Sequence, residues 1–282
     1  MNDNDSDNRG KLKENLEKPY YGYSIMRYFT VALIVVGIVS IALAIIFTAW
    51  VSILCWVLGV ILLSSGVFLH LSMGWVNNPE KIELVKDNFS DLLGNVWDGN
   101  GKVLDMGTGL GRVAIEIAKQ FPEAQVVGVD TWTKGWKLSG MTKAGAEKNA
   151  IIEGVSGRCT FQTDSALDLP FEDGEFQLVV SSFAFHAIKI PDRTVLFEEA
   201  IRVLASGGVF VICGPFSGSF LKAYKVKNMP ELLEKVRRMG VEDVKFVSFK
   251  EAGVNLGRLA NIWEMGYLSG RKVKSYGRGE KR

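Results

Sequence analysis

Residues 103–114 read VLDMGTGLGRVA, an apolar run, an acid, and then three glycines at every second position. Val103 and Leu104 lead in and Val113, Ile115 and Ile117 lead out, so the stretch has the local form of a strand, a glycine-rich turn and a helix start. Such a turn brings backbone N–H groups close to a ligand. The dinucleotide fingerprint needs G-x-G-x-x-G. Here the third glycine comes one place early, giving Gly107-Thr108-Gly109-Leu110-Gly111 with Arg112 in the sixth position. No G-K-[ST] follows either, which disfavours a phosphate loop. The turn alone leaves its ligand open, and its surroundings must decide.

From about residue 79 the chain alternates helix-like and strand-like segments, which predicts an α/β domain with a parallel sheet covered on both faces. PEKIELVKDNFSDLL predicts a leading helix, KVLDM a strand, LGRVAIEIAKQ a helix, AQVVGVD a strand and MTKAGAEKNAIIEGV a helix. CTFQTD, FQLVVSS and GVFVICG follow as strands, with PDRTVLFEEAIRVL as the helix between the last two. Asn228 and Pro230 then open an amphipathic helix that Gly240 closes. Two strand-like runs come last, VEDVKFVSF and NIWEMGYLSG, with no strong helix between them. The natural reading is a doubly wound, seven-stranded, mostly parallel sheet whose final two strands form an antiparallel pair. A dinucleotide-binding sheet would end on a sixth parallel strand instead.

With these elements in order, the chain from roughly Pro79 to Arg271 resembles the class I S-adenosylmethionine-dependent methyltransferases. VLDMGTGLG is similar to their first motif, VVGVD to the second, TDSALDLPFEDGEFQLVVSSFAFHAI to the middle block and IRVLASGGVFVI to the strand-five block. The middle block is closest in style to small-molecule methyltransferases, including those of quinone biosynthesis. The resemblance implies S-adenosylmethionine as cofactor. Backbone approach at Gly107, Thr108, Gly109 and Gly111 leaves room for its amino-acid end and ribose, and the family likeness implies that Asp105 helps to hold the amino group. Asp130 closes the second strand, where a carboxylate can accept from both ribose hydroxyls, with Thr131 and Trp132 on the neighbouring wall. Asp164, with Ser165 beside it, matches the family position that accepts from the adenine amino group.

Methyl transfer needs chiefly alignment and a dry pocket, and no nucleophilic residue. Ser181 and Ser182 end the fourth strand, beside the place where the methyl should point, so Ser181 joins the cofactor-binding candidates. Methyltransferases of nucleic-acid amino groups and of protein glutamine often carry Asn/Asp-Pro-Pro-Tyr/Phe here, whereas this chain has SSFA. His186, one of two histidines, is the candidate base, since an imidazole suits proton removal near neutral pH. Its competing reading is a histidine that merely packs beside the sheet.

Ahead of this domain, Phe29 to Met73 contains no Asp, Glu, Lys or Arg. As one helix it would be about 68 Å long against a hydrocarbon core of about 30 Å, so two transmembrane helices are predicted, turning near FTAWVS at 47–52. It is too long, and begins too late, for a signal peptide. Tyr20, Tyr21, Tyr23, Tyr28 and Trp75 near one pair of ends, and Trp50 and Trp56 near the tip, suit two interfaces, where His70 also falls. Arg9, Lys11, Lys13, Lys18, Arg27, Lys81 and Lys86 flank the hairpin while its tip is uncharged, which puts both ends and the catalytic domain in the cytoplasm. The organisation expected is a polar tail over 1–28, a hairpin over 29–73, a methyltransferase domain over 79–271 and a basic tail over 272–282. That tail either faces an anionic leaflet or is simply solvated.

The net charge of +2 over 282 residues gives no reason to expect nucleic acid. Cys55, Cys159 and Cys213 are widely spaced, with no CxxC and no histidine at metal spacing, so a reduced compartment and no metal are expected. The partners expected are the membrane and a small, apolar acceptor such as a quinone, isoprenoid or lipid. Methylation of a membrane protein and a non-catalytic, cofactor-holding scaffold are the competing functions.

Overall fold

The computed structural model describes residues 19–21, 24–46, 49–76, 79–133, 140–255 and 262–274. The chain forms two compact units, a helical hairpin and a sheet domain.

The hairpin consists of α1 (Ser24–Ile46) and α2 (Ala49–Val76). Glycines let the two helices approach: a Cβ at Gly37 would sit 2.7 Å from the Leu63 backbone N, and one at Gly66 would sit 2.9 Å from Ile34 Cγ1. Thr30 Oγ1 lies 3.0 Å from His70 Nδ1, so His70 ties the helices to each other. Val35, Leu43, Trp50, Leu54, Leu58 and Ile61 all face outward. A helix apolar all round needs an apolar surrounding. Tyr28–Ile45 and Trp50–Leu71, with mean hydropathies of 2.6 and 2.3, are long and apolar enough to cross a membrane. Residues 49–52 of the expected turn already belong to α2, while 47 and 48 lie outside the described residues.

In the sheet domain, which takes up α3 (Pro79–Val96) from Asn88 onward, that helix leads into β1 (Gly101–Met106), α4 (Arg112–Gln120), β2 (Ala124–Asp130), α5 (Lys143–Ile152) and β3 (Cys159–Thr163). Then come β4 (Phe176–Ser182), α6 (Thr194–Val203), β5 (Leu204–Pro215), a one-turn α7 (Gly218–Leu221), α8 (Met229–Arg237), β6 (Val241–Ser248) and β7 (Met265–Lys272). The strand order is β3-β2-β1-β4-β5-β7-β6. β1 to β5 pair in parallel, and β7 enters antiparallel between β5 and β6. Helix starts follow the sequence signals. Thr142 caps α5 by accepting from the Gly145 N–H, and Asn228 caps α8 by accepting from the Glu231 N–H.

Side chains alternate across β1, so Leu104 and Met106 enter one core with Phe197 of α6 and Leu232 and Val236 of α8. Phe197 packs against Phe185, Phe210 and Tyr224 with ring centroids 5.5–5.9 Å apart. Asp105 alternates to the opposite face, where α4 buries Ala114, Ile115, Ile117 and Ala118. A parallel sheet brings the carboxyl ends of β1, β2 and β4 to one edge, and the glycine turn lies there. At the far end of β7, Arg271 donates to the carbonyls of Gly207 and Val96, and Lys272 Nζ donates to those of Ile201 and Leu204. Lys272, the first cation of the expected basic tail, is therefore committed to the fold along with Arg271 before it, while 275–282 lie outside the described residues.

Candidate functional site

The glycine turn is built by its neighbours. The N–H groups of Gly107 and Thr108 both donate to the Val129 carbonyl at 2.8 and 3.0 Å, and the Gly111 N–H donates to the Thr108 carbonyl at 2.8 Å. Gly107 has φ +77°, and a Cβ there would lie 2.2 Å from the Cβ of Ala184. Glycine is required on both counts. Gly111, at φ +79°, leaves left-handed geometry directly into the first turn of α4.

Asp130 organises the turn from β2. Its Oδ2 accepts from the Gly109 N–H at 3.0 Å and its Oδ1 from the Trp132 N–H at 2.9 Å. A carboxylate offers about four acceptor positions, so two bonds leave capacity for a pair of hydroxyls. Trp132 is buried, and its indole N–H donates to the Gly109 carbonyl at 2.8 Å. Its φ of +38°, like the +53° of Phe183 at the end of β4, puts a bulky residue in a region that costs about 1–3 kcal/mol. Both strained residues flank the turn-bearing edge of the sheet.

Asp105 lies fully buried behind the turn. Burial pushes its carboxyl up from 3.8 to about 7, while the Thr108 hydroxyl and the Ala114 N–H pull partly in the other direction and the Asp130 charge adds to the rise. Asp105 Oδ2 and Thr108 Oγ1 are each enclosed without a partner in hydrogen-bonding geometry. Orphaned polar atoms of this kind cost about 1–3 kcal/mol. Two of them beside a glycine cradle fit a polar, cationic ligand group.

The remaining candidates occupy different surroundings. Asp164 follows β3, its N–H donating to the Asp130 carbonyl at 3.2 Å, and Ser165 Oγ accepts from the Leu167 N–H at 3.2 Å. Thr131 is exposed. Ser181 is fully buried, and its hydroxyl donates to the Met106 carbonyl at 2.7 Å, tying β4 to β1 at their carboxyl ends. His186 sits in a short 3-10 turn, Phe185–Ala187, with its ring edge-on to Phe183 at 6.2 Å and to Phe220 at 5.9 Å. Phe249 and Tyr267 extend the same aromatic wall. Arg193 holds the turn by donating to the carbonyls of His186 and Ile188. Burial, and then the Arg193 charge, lower the imidazole pKa below its usual value, and its Nδ1 is enclosed without a partner. The side chain is thus a neutral imidazole in an apolar wall. Burial pushes the Cys159 and Cys213 thiols up to about 12, so neither is a nucleophile.

One residue of the turn's support went unread in the sequence. Asn149 is buried on α5 and donates to the Leu110 carbonyl at 3.0 Å. The available signal was an amide on the stripe Ala146, Asn149, Ala150, where every other position is small and apolar.

Residues 103–208 match a family model described as a methyltransferase domain. The chain is 36% identical over 129 residues to a ubiquinone/menaquinone biosynthesis C-methyltransferase of Geobacter sp. (strain M21), covering 45% of this chain and 51% of that one. It is 33% identical over 111 residues to the chloroplastic tocopherol O-methyltransferase of Arabidopsis thaliana, covering 39% and 29%. The chain thus spans about half the length or less of these curated relatives. In fold it is similar to the geranyl diphosphate C-methyltransferase of Streptomyces coelicolor A3(2), with a TM-score of 0.51 and 16% identity, covering 71% of this chain and 88% of that one.

Proposed function

We propose, from the premise that this chain carries a class I S-adenosylmethionine-dependent methyltransferase domain, that it methylates a small, apolar, lipid-soluble acceptor, of the quinone, isoprenoid or lipid kind, while α1 and α2 anchor it in a membrane. The observation that carries this reading is the enclosed Asp105 carboxyl, its Oδ2 without a partner, behind a glycine turn that Asp130 organises, with an aromatic wall at the end of β4. The residues fit the cofactor. Asp105 and Thr108 suit its ammonium end, Asp130 its ribose hydroxyls, and Asp164 its adenine amino group. When bound, S-adenosylmethionine supplies a methyl on positively charged sulfur.

The chain's own residues then have three tasks. The turn and Asp130 fix orientation, where alignment contributes most to such a displacement. Phe183, Phe220 and Phe249 exclude water and suit an apolar acceptor. His186, neutral through its lowered pKa, takes the proton that a hydroxyl or acidic carbon of the acceptor must release. The named activities of the quinone and tocopherol relatives support this acceptor class. Apolar helices that expose their side chains support the anchor, and the flanking cations support cytoplasmic ends.

The test is incubation of the full chain, in detergent or vesicles, with radiolabelled S-adenosylmethionine and a membrane lipid extract. Label in the organic phase, with a product heavier by one CH2, supports the reading. Label in membrane protein instead would favour a protein acceptor, and cofactor binding without any transfer would favour a scaffold.

A further inference from the structure

Asn149 is a poor helix former placed in the middle of α5 and only 2% exposed. An amide so enclosed is stable only with its polar atoms paired. It pairs in two directions. Its Nδ2 donates to the Leu110 carbonyl of the glycine turn at 3.0 Å and to the Tyr20 carbonyl at 2.7 Å, while its Oδ1 accepts from the Tyr20 N–H at 3.0 Å. One side-chain amide thereby satisfies both backbone groups of Tyr20, as a neighbouring strand residue would, across 129 positions of sequence.

A second contact follows at the next residue. The Arg112 guanidinium, at the start of α4 and directly after Gly111, lies 4.7 Å from the centre of the Tyr21 ring. Cation–π pairs at partly desolvated sites contribute stabilisation beyond area burial. Burial, reinforced by the charges of Glu153 and Glu116, raises the Tyr21 phenol above its usual pKa, so it stays neutral. The two contacts grip the backbone on either side of Gly111. Because Asn149 fixes the Leu110 carbonyl, it also fixes the plane of the peptide whose N–H closes the turn onto the Thr108 carbonyl.

We propose that Pro19–Tyr21 is a strap that, through Asn149 as a positioning residue, holds the glycine turn in its cofactor-binding geometry, so that cofactor affinity depends on the segment of chain that leads into α1. This rests on the cofactor role of the turn proposed above. The strap contributes no group to the ligand; it limits the freedom of the peptides that approach it.

The experiment uses the full chain in detergent, with two readouts. One is amide hydrogen exchange over residues 107–113 without ligand, and the other is calorimetric binding of S-adenosylhomocysteine. Asn149→Ala and deletion of residues 2–21 are each expected to raise exchange in the turn at least about tenfold and to weaken binding about five- to tenfold. Deletion of 2–18 alone should alter neither. Because both changes act on one device, combining them should add little to the larger single effect. Exchange and affinity unchanged by the 2–21 deletion would overturn the strap, and that variant leaves α5 intact should Asn149→Ala fail to fold. If the unaltered chain bound no S-adenosylhomocysteine, the cofactor reading would fall, while the exchange readout would still decide whether the strap orders the turn.

Discussion

The Asp105→Asn substitution separates the electrostatics of the buried carboxyl from its shape. The folded-state pKa of about 7 lies above the ordinary 3.8, because burial disfavours the charged form. Between these two values the folded protein keeps a proton that the unfolded chain gives up. The contribution of this group to stability is therefore greatest below about pH 4 and declines as pH rises towards 7. At about 1.4 kcal/mol per pH unit, the interval from 3.8 to about 7 corresponds to roughly 4 kcal/mol. Asparagine cannot ionise, so the variant should lack this decline. Guanidinium unfolding of the full chain in detergent, at several values between pH 4.5 and 8, should show variant and wild type diverging with rising pH, the variant gaining relative stability. A cationic ligand group at Asp105 also favours the ionised form, so cofactor binding at pH 6 should release a proton in the wild type alone, measured by calorimetry in buffers of different ionisation enthalpy. Parallel stability curves, together with equal proton release, would refute the assignment of a protonated, ligand-facing Asp105.

Asp130→Ala should weaken S-adenosylmethionine binding by about 1.5 kcal/mol or more in calorimetry, since it removes the charged acceptor as well as the group that holds the Gly109 N–H. Gly107→Ala places a Cβ 2.2 Å from that of Ala184 at φ +77°, and should lower the unfolding midpoint and abolish cofactor binding, a cost of about 2–4 kcal/mol. His186→Gln should lower kcat at least about 100-fold while cofactor affinity stays the same. The wild-type pH–rate profile should keep its activity to below the ordinary imidazole value of 6.5, because the lowered pKa keeps the base neutral there.

Local signals made much of this protein legible. The glycine turn, the acid closing β2, the alternation that builds seven strands and the Asn228 cap all depend on residues a few positions apart, and their conformational preferences act over that range. The one uncharged stretch from Phe29 to Met73 was equally plain, since hydropathy is additive along the chain. Strand order was less accessible: that β7 lies between β5 and β6 depends on which edges pair after collapse. Tertiary packing alone decided how polar groups were used. Tyr20 and Tyr21, which suit a membrane interface by composition, meet Asn149 and Arg112, contacts that composition does not reveal. Trp132 turns its indole onto the Gly109 carbonyl, the Ser181 hydroxyl donates to the Met106 carbonyl, and burial with the Arg193 charge lowers the His186 pKa. Each hydrogen bond is a short, directional contact between residues that sequence spacing does not relate, and a hydrogen-bond partner is fixed only once the fold has brought donor and acceptor within about 3 Å.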